Sequence, residues 1–219
     1  MVGDITRIQI ERLSLDGDRP LIICDVDEVV VHFLRALETF LAGRQCWLDP
    51  ASFALNGNVR RRETNEPVST DELGDLLHAF FAAETANFEA IEGAADGLGA
   101  LSAHADIVML TNLPETYYDD RRQNLERHGM TYPVVVNSGP KGPAVDLLVG
   151  TRSAPVIFLD DSPSNIESVR ETVPDTHIVH FMQDERFARH IDDFGDIFLT
   201  TDNWAETTDR LGELLVRTD

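Results

Sequence analysis

A short apolar run, Leu21-Ile22-Ile23-Cys24, leads straight into two carboxylates one residue apart, Asp25 and Asp27. Branched apolar runs of this length read as buried parallel strands. A buried strand has no ordinary reason to end in acids, because carboxylates are costly to desolvate. Ligands of open α/β sheets bind just beyond the carboxyl ends of the strands. Asp25 and Asp27 therefore stand where chemistry belongs. Acids there can act as a nucleophile, exchange protons or hold a divalent cation. The plainer reading is that they cap the turn or helix that follows. Three later runs end in comparable groups. Ile107 to Leu110 is followed by Thr111 and Asn112, Val134 to Val136 by Lys141, and Val156 to Leu159 by Asp160 and Asp161.

In this order and spacing the set resembles the haloacid dehalogenase superfamily. That family has an Asp-x-Asp after a first strand, a Ser or Thr after a second, a Lys or Arg, and an acidic pair after a later strand. The match covers about residues 21 to 166. Each motif alone is weak; the ordered set is specific. Glu28-Val29 departs from the Gly-Thr that commonly follows the acidic pair, which leaves subfamily and substrate open.

The resemblance implies a role for each residue. Asp25 is the nucleophile, ionised at neutral pH without help from a base, and its attack on phosphorus gives an aspartyl-phosphate. A carboxylate and a phosphate dianion repel at contact distance, so a divalent cation must offset the charge. Asp25, the backbone carbonyl of Asp27, and Asp161 or Asp160 offer the hard oxygens that suit magnesium. Adjacent strand residues point to opposite faces, which favours Asp161 as the direct ligand and leaves Asp160 behind it or sharing. Asp27 is the general acid, then base. Family members that break carbon–halogen bonds lack this second Asp, so its presence points to phosphoryl transfer. Members that break carbon–phosphorus bonds use a cap lysine, and this chain has none there. Thr111 and the backbone amide of Asn112 bind the transferring group, and Lys141 neutralises charge shared with Asp25. A helix-capping Thr111 and a solvated Lys141 are the plainer readings. Ser162 and Asn165 stand where a helix start could support the metal site. Arg60, Arg61 and Arg62, three consecutive bases in an acidic chain, could contact a second anionic group of the substrate. His32 is close enough in sequence to approach the substrate, while Trp47, Phe53, Phe80 and Phe81 read as core of the cap.

The elements that position these groups alternate. A helix is expected from about His32 to Ala42, with Gly43 ending it. Asp49-Pro50 reads as a helix start, residues 59 to 68 as a polar loop or hairpin, and Ser69-Thr70-Asp71-Glu72 as a capping box opening a helix to about Asn87. Helices near 94 to 104, after Pro114, after Lys141 and after Ser162-Pro163 separate the strand runs. Further strands are expected at 177–181 and 196–199, each followed by a helical pattern. Residues 1–20 settle on no period. The expectation is a Rossmann-like three-layer α/β/α core with a parallel sheet, built from residues 1–31 and 91–219, plus a small α-helical cap inserted at 32–90. A cap there would exclude water and select the substrate.

Composition sets limits. A net charge of −21 over 219 residues argues against nucleic acid or an anionic membrane as partner. No apolar run approaches the roughly 20 residues of a membrane span, and no signal peptide is visible. Cys24 and Cys46 form no disulfide framework and are expected to be reduced, as in the cytoplasm. Lys141 is the only lysine among basic residues that are otherwise arginine, which fits a need for a compact ammonium. The reading is a cytoplasmic, magnesium-dependent phosphohydrolase for a small phosphorylated metabolite, monomeric or homodimeric. A phosphomutase or phosphotransferase of the same family, and a non-catalytic binding protein on the same scaffold, are the alternatives.

Overall fold

The computed structural model describes residues 2–190 and 194–216. In chain order the elements are α1 (Asp4–Glu11), β1 (Leu21–Cys24), α2 (Phe33–Ala42), β2 (Cys46–Leu48), β3 (Val59–Arg61), α3 (Thr70–Glu84), α4 (Ala94–Leu101), β4 (Asp106–Asn112), α5 (Tyr118–Arg127), β5 (Val134–Asn137), α6 (Gly142–Val149), β6 (Val156–Asp160), α7 (Pro163–Thr172), β7 (His177–Phe181), α8 (Glu185–Ala188), β8 (Leu199–Thr201) and α9 (Trp204–Val216). Six strands form one sheet in the order β5-β4-β1-β6-β7-β8, and every pairing in it is parallel.

Strand alternation divides the core in two. Ile22, Cys24, Ile107, Met109, Ile157 and Leu159 join Leu98, Leu101, Leu125, Leu211 and Leu215 on one face of the sheet. Leu21, Ile23, Val108, Leu110 and Phe158 join Ala144, Val145, Leu148, Ile166 and Val169 on the other. With both faces covered by helices, the strands carry apolar residues at every position rather than at alternate ones. The architecture is thus the expected three-layer α/β/α core. After β1 the chain adds β4 and β5 on one side, then crosses to β6, β7 and β8 on the other. The change of direction beside β1 leaves a crevice at the carboxyl end of that strand, where such sheets bind ligands. Asp25 follows β1 directly, with its N–H donating to the Leu159 carbonyl at 2.8 Å.

Several local readings change. Residues 4–11 are helical, and Thr6 Oγ1 ties α1 to the sheet edge by donating to the Val136 carbonyl at 2.8 Å. No helix begins at Asp49-Pro50. Asp49 instead pairs with Arg60 at 3.1 Å, and Asn58 Nδ2 bonds Ser52 Oγ and the Ala54 carbonyl, each at 2.8 Å, which closes the segment as a loop. The segment between β1 and β4, expected to be helical, contains a two-stranded antiparallel ribbon of β2 and β3 as well as helices. Ser69 does cap α3, accepting from the Glu72 N–H. The last strand is displaced to Leu199–Thr201 from the expected 196–199.

The segment between β1 and β4 enters and leaves side by side. Val31 and Ala90 form an antiparallel bridge, and His32 N donates to the Glu89 carbonyl at 2.9 Å. Its aromatic residues pack together, Phe33 of α2 edge-to-face on Phe80 of α3 with centroids at 5.3 Å, and Phe80 stacked on Phe88 at 5.5 Å. Phe81 then reaches Tyr117, beyond β4, at 5.9 Å.

Candidate active site

Three strand ends and a helix start converge beyond the sheet. Asp25 follows β1, Thr111 lies near the end of β4, Asp160 ends β6, and Lys141 caps the start of α6. Lys141 is fully buried between two acids, its Nζ 2.6 Å from Asp25 Oδ1 and 2.7 Å from Asp160 Oδ2. Paired in this way, a buried ammonium holds its proton more tightly despite the desolvation that opposes it. Lys141 reaches the site because α6 lies directly on α7. An added Cβ at Gly142 would meet the Ser168 carbonyl oxygen and would lie 2.5 Å from Thr172 Oγ1. Only glycine allows this approach.

Asp160 is held from the other side as well. Its Oδ1 accepts from Ser162 N at 2.9 Å and from Asn165 Nδ2 at 3.1 Å. Ser162 therefore works through its backbone; its hydroxyl contacts only Ser164 Oγ, at 3.0 Å, and makes no side-chain cap. Asp161 points the other way, into the cavity, as strand alternation requires. Asp25, Asp160 and Asp161 bring carboxylate oxygens within 4.8 Å of one another. Burial, then the charges of Asp160 and Asp25, push the Asp161 carboxyl well above the usual range. Asp25 is pushed up to about 7, chiefly by burial, with Lys141 pulling against it. Three acids crowd around one ammonium that contacts two of them, and the raised carboxyls show how poorly the cluster tolerates full ionisation without a further cation. An oxygen-ligated cation fits it.

Asp27 sits in the turn after Asp25, where Glu28 N bonds the Val31 carbonyl at 2.8 Å. Its Oδ1 accepts from Arg121 Nη2 at 2.7 Å, and Arg121 is fully buried. Arg121 escaped sequence reading because it lies mid-helix among the polar residues of α5, where a charge normally means a solvated face. Glu28 was likewise missed. It occupies φ 59°, the left-handed region that glycine enters freely, at the position where the resembling family has glycine. Its Oε1 accepts from Leu34 N at 2.6 Å in the first turn of α2, and burial pushes the carboxyl up to about 7.

Thr111 Oγ1 is buried and without a hydrogen-bond partner. Such a hydroxyl is costly unless a bound group completes it. Asn112 lies beyond it, its Oδ1 accepting from Asn137 Nδ2 at 2.8 Å. Asp25, Asp27, Asn112, Asp161 and Asn165 open on one cavity of about 370 Å³. Phe53 and Phe81 also line it, so they are more than cap core. Phe80 is fully buried, and Trp47 lies on β2 outside the cavity lining. His32 and Arg60, Arg61 and Arg62 are not part of that lining either. Arg60 pairs with Asp49, and Arg61 pairs with Glu72 at 2.7 Å.

No protein-family model matches the sequence, and no curated protein is similar to it. Solved structures are. A haloacid dehalogenase-like protein from Agrobacterium tumefaciens superposes with a TM-score of 0.63 at 13% identity, over 89% of this chain and 98% of that one. The fold is that of the haloacid dehalogenase-like hydrolases. A hydrolase of this fold from Deinococcus radiodurans, with bound phosphate and sodium, gives a TM-score of 0.61 at 16% identity, covering 90% of this chain and 97% of that one. A defluorinating L-2-haloacid dehalogenase gives 0.58 at 13% identity, covering 91% and 99%. The haloacid dehalogenase-like fold thus carries both phosphate-binding and dehalogenating relatives, and the chemistry must be argued from the site. Among the described residues no helix is long and apolar enough to cross a membrane, and Cys24 and Cys46 are buried and free.

Proposed function

We propose that the protein is a magnesium-dependent phosphohydrolase that works through an aspartyl-phosphate on Asp25. The observation that carries this reading is the pair of acids on one cavity, Asp25 beside Lys141 and Asp27 beside Arg121. Displacing a halide requires only a nucleophile, because halide leaves as a stable anion. Cleaving a phosphate ester expels an alkoxide, which must be protonated. A second carboxylate aimed at the same space has work to do only in the second case.

Lys141 Nζ and Val26 N both engage Oδ1 of Asp25, at 2.6 and 2.7 Å. That assigns attack on phosphorus to Oδ2, with Lys141 opposing the burial that favours the protonated carboxyl. Asp27 gives its proton to the leaving oxygen, then takes one from the water that hydrolyses the acyl phosphate. Arg121, gripping Oδ1 of Asp27, orients that exchange. Thr111 Oγ1 and the Asn112 N–H donate to the phosphoryl oxygens. Asp25, Asp161 and the Asp27 carbonyl would hold magnesium, with Asp160 behind them fixed on Lys141 and Asn165. The ion would supply the positive charge that lets a carboxylate meet a phosphate dianion. The segment at 32–90 serves as the cap over this site, and a small phosphorylated molecule is the substrate.

Hydrolysis of para-nitrophenyl phosphate tests the reading. Turnover should require magnesium, stop with chelator, and vanish in Asp25→Asn. Turnover that survives both treatments would refute the mechanism. Transfer of the phosphoryl group to an added alcohol in preference to water would move the protein to the phosphotransferases.

A further inference from the structure

Half of the residues that line the cavity are apolar. Phe33 and Leu34 of α2, Phe81 of α3, and Phe53 and Leu55 of the loop before β3 come from the cap segment. Met182 and Phe187 complete the set from beyond β7. The Phe53 and Phe187 rings meet at 5.7 Å, which joins the two halves. Among the described residues no lysine, arginine or histidine lines this space. Lys141 is buried and held by Asp25 and Asp160, and Arg121 is buried with Nη2 on Asp27 and its Nε and Nη1 without a hydrogen-bond partner; neither side chain lines the cavity. The remaining charged lining is Asp25, Asp27, Glu28 and Asp161, all acidic.

We propose that the group released with the phosphate is uncharged and largely apolar, a short alkyl or aryl alcohol, and not a sugar phosphate, bisphosphate or phosphorylated carboxylic acid. This rests on the phosphohydrolase reading of the same site. An anion on the leaving group would be buried without a partner among carboxylates and phenyl rings. A polyhydroxyl group would find few donors or acceptors on the seven apolar side chains that face it. An alkyl chain finds contact there, and each methylene moved from water into the cavity strengthens binding roughly fourfold. The cavity, about 370 Å³, lies in the range of small-ligand sites and takes a phosphate plus a short chain or one ring.

Calorimetric titration with phosphonates, which keep the phosphate shape and cannot be hydrolysed, separates the leaving-group question from turnover. With magnesium present, hexylphosphonate should bind at least tenfold tighter than methylphosphonate. 6-Phosphonohexanoate, in which a carboxylate replaces the terminal methyl of the hexyl chain, should bind at least tenfold weaker than hexylphosphonate. Phe53→Ala should cut the hexyl-to-methyl ratio several-fold, and circular dichroism checks that the variant stays folded. Equal affinity for methyl- and hexylphosphonate, or tighter binding of the carboxylated chain, would overturn the proposal. Acetyl phosphate tells the two failures apart. If its hydrolysis needs magnesium and Asp25 while the phosphonates show no chain preference, only the leaving-group assignment falls. If no phosphonate binds and acetyl phosphate is not turned over, the phosphohydrolase reading falls with it.

Discussion

Replacing Lys141 with methionine tests whether the site is built as an ion cluster. The substitution keeps most of the side-chain volume and removes one charge. Asp25 and Asp160 then remain buried, at 6% and 0% exposure, without a counter-ion. Each of the two contacts, at 2.6 and 2.7 Å, is worth about 6 kcal/mol of Coulomb attraction at an effective dielectric of about 20. Most of that only offsets the desolvation of the three groups. Removing one partner from such a cluster costs about 3–5 kcal/mol. Urea unfolding in chelator at pH 7.5 should show that loss for Lys141→Met. Asp160→Asn added to Lys141→Met should recover at least about 2 kcal/mol, because it deletes one stranded charge, and the non-additivity of the pair measures the coupling. The deficit of Lys141→Met should also shrink towards pH 4. The raised Asp25 carboxyl is protonated there, whereas the lysine's own contribution does not vary below the ordinary lysine value of 10.5. A loss under about 1 kcal/mol at pH 7.5, or a loss independent of pH, would refute the cluster.

Three further outcomes follow from the same geometry. Burial raises Glu28 from 4.5 to about 7, so the folded state binds more protons than the unfolded one between those values and its stability falls as pH rises through them. Glu28→Gln keeps the acceptor for Leu34 N and should stabilise by about 2–3 kcal/mol at pH 8 but little at pH 4, as thermal unfolding at the two pH values would show. Gly142→Ala drives a methyl group into the Ser168 carbonyl and Thr172 Oγ1. It should cost about 1–3 kcal/mol in denaturant unfolding and lower turnover by displacing Lys141. Arg121→Met frees the oxygen of Asp27 held at 2.7 Å; kcat for para-nitrophenyl phosphate should drop roughly ten- to a hundredfold with KM nearly unchanged, and a change confined to KM would argue against orientation of the acid.

Most strand positions and the acids at the strand ends were legible in the sequence because each has a local cause, whereas the order of the strands in the sheet was not. Branched runs such as Ile157-Phe158-Leu159 form strands whatever lies beside them, and a carboxylate that ends such a run is costly enough to be conspicuous. Ser69 and Glu72 likewise carry their cap within three residues. Alternation along one strand separated Asp160, turned to Lys141, from Asp161, turned to the cavity. The tertiary structure decided what depends on partners distant in the chain. Arg121 becomes a buried partner of Asp27, 94 residues away, only when α5 packs beneath the turn. Asp49-Pro50 carries a helix-start signal, yet pairing with Arg60 across the β2–β3 ribbon outweighs that weak local preference. Glu28 adopts a glycine conformation because its carboxylate caps α2. The apolar half of the cavity lining is assembled from residues between Phe33 and Phe187 that no periodicity relates. Spacing along the chain thus announces the reacting groups, while the shape and charge of the space they face exist only after folding.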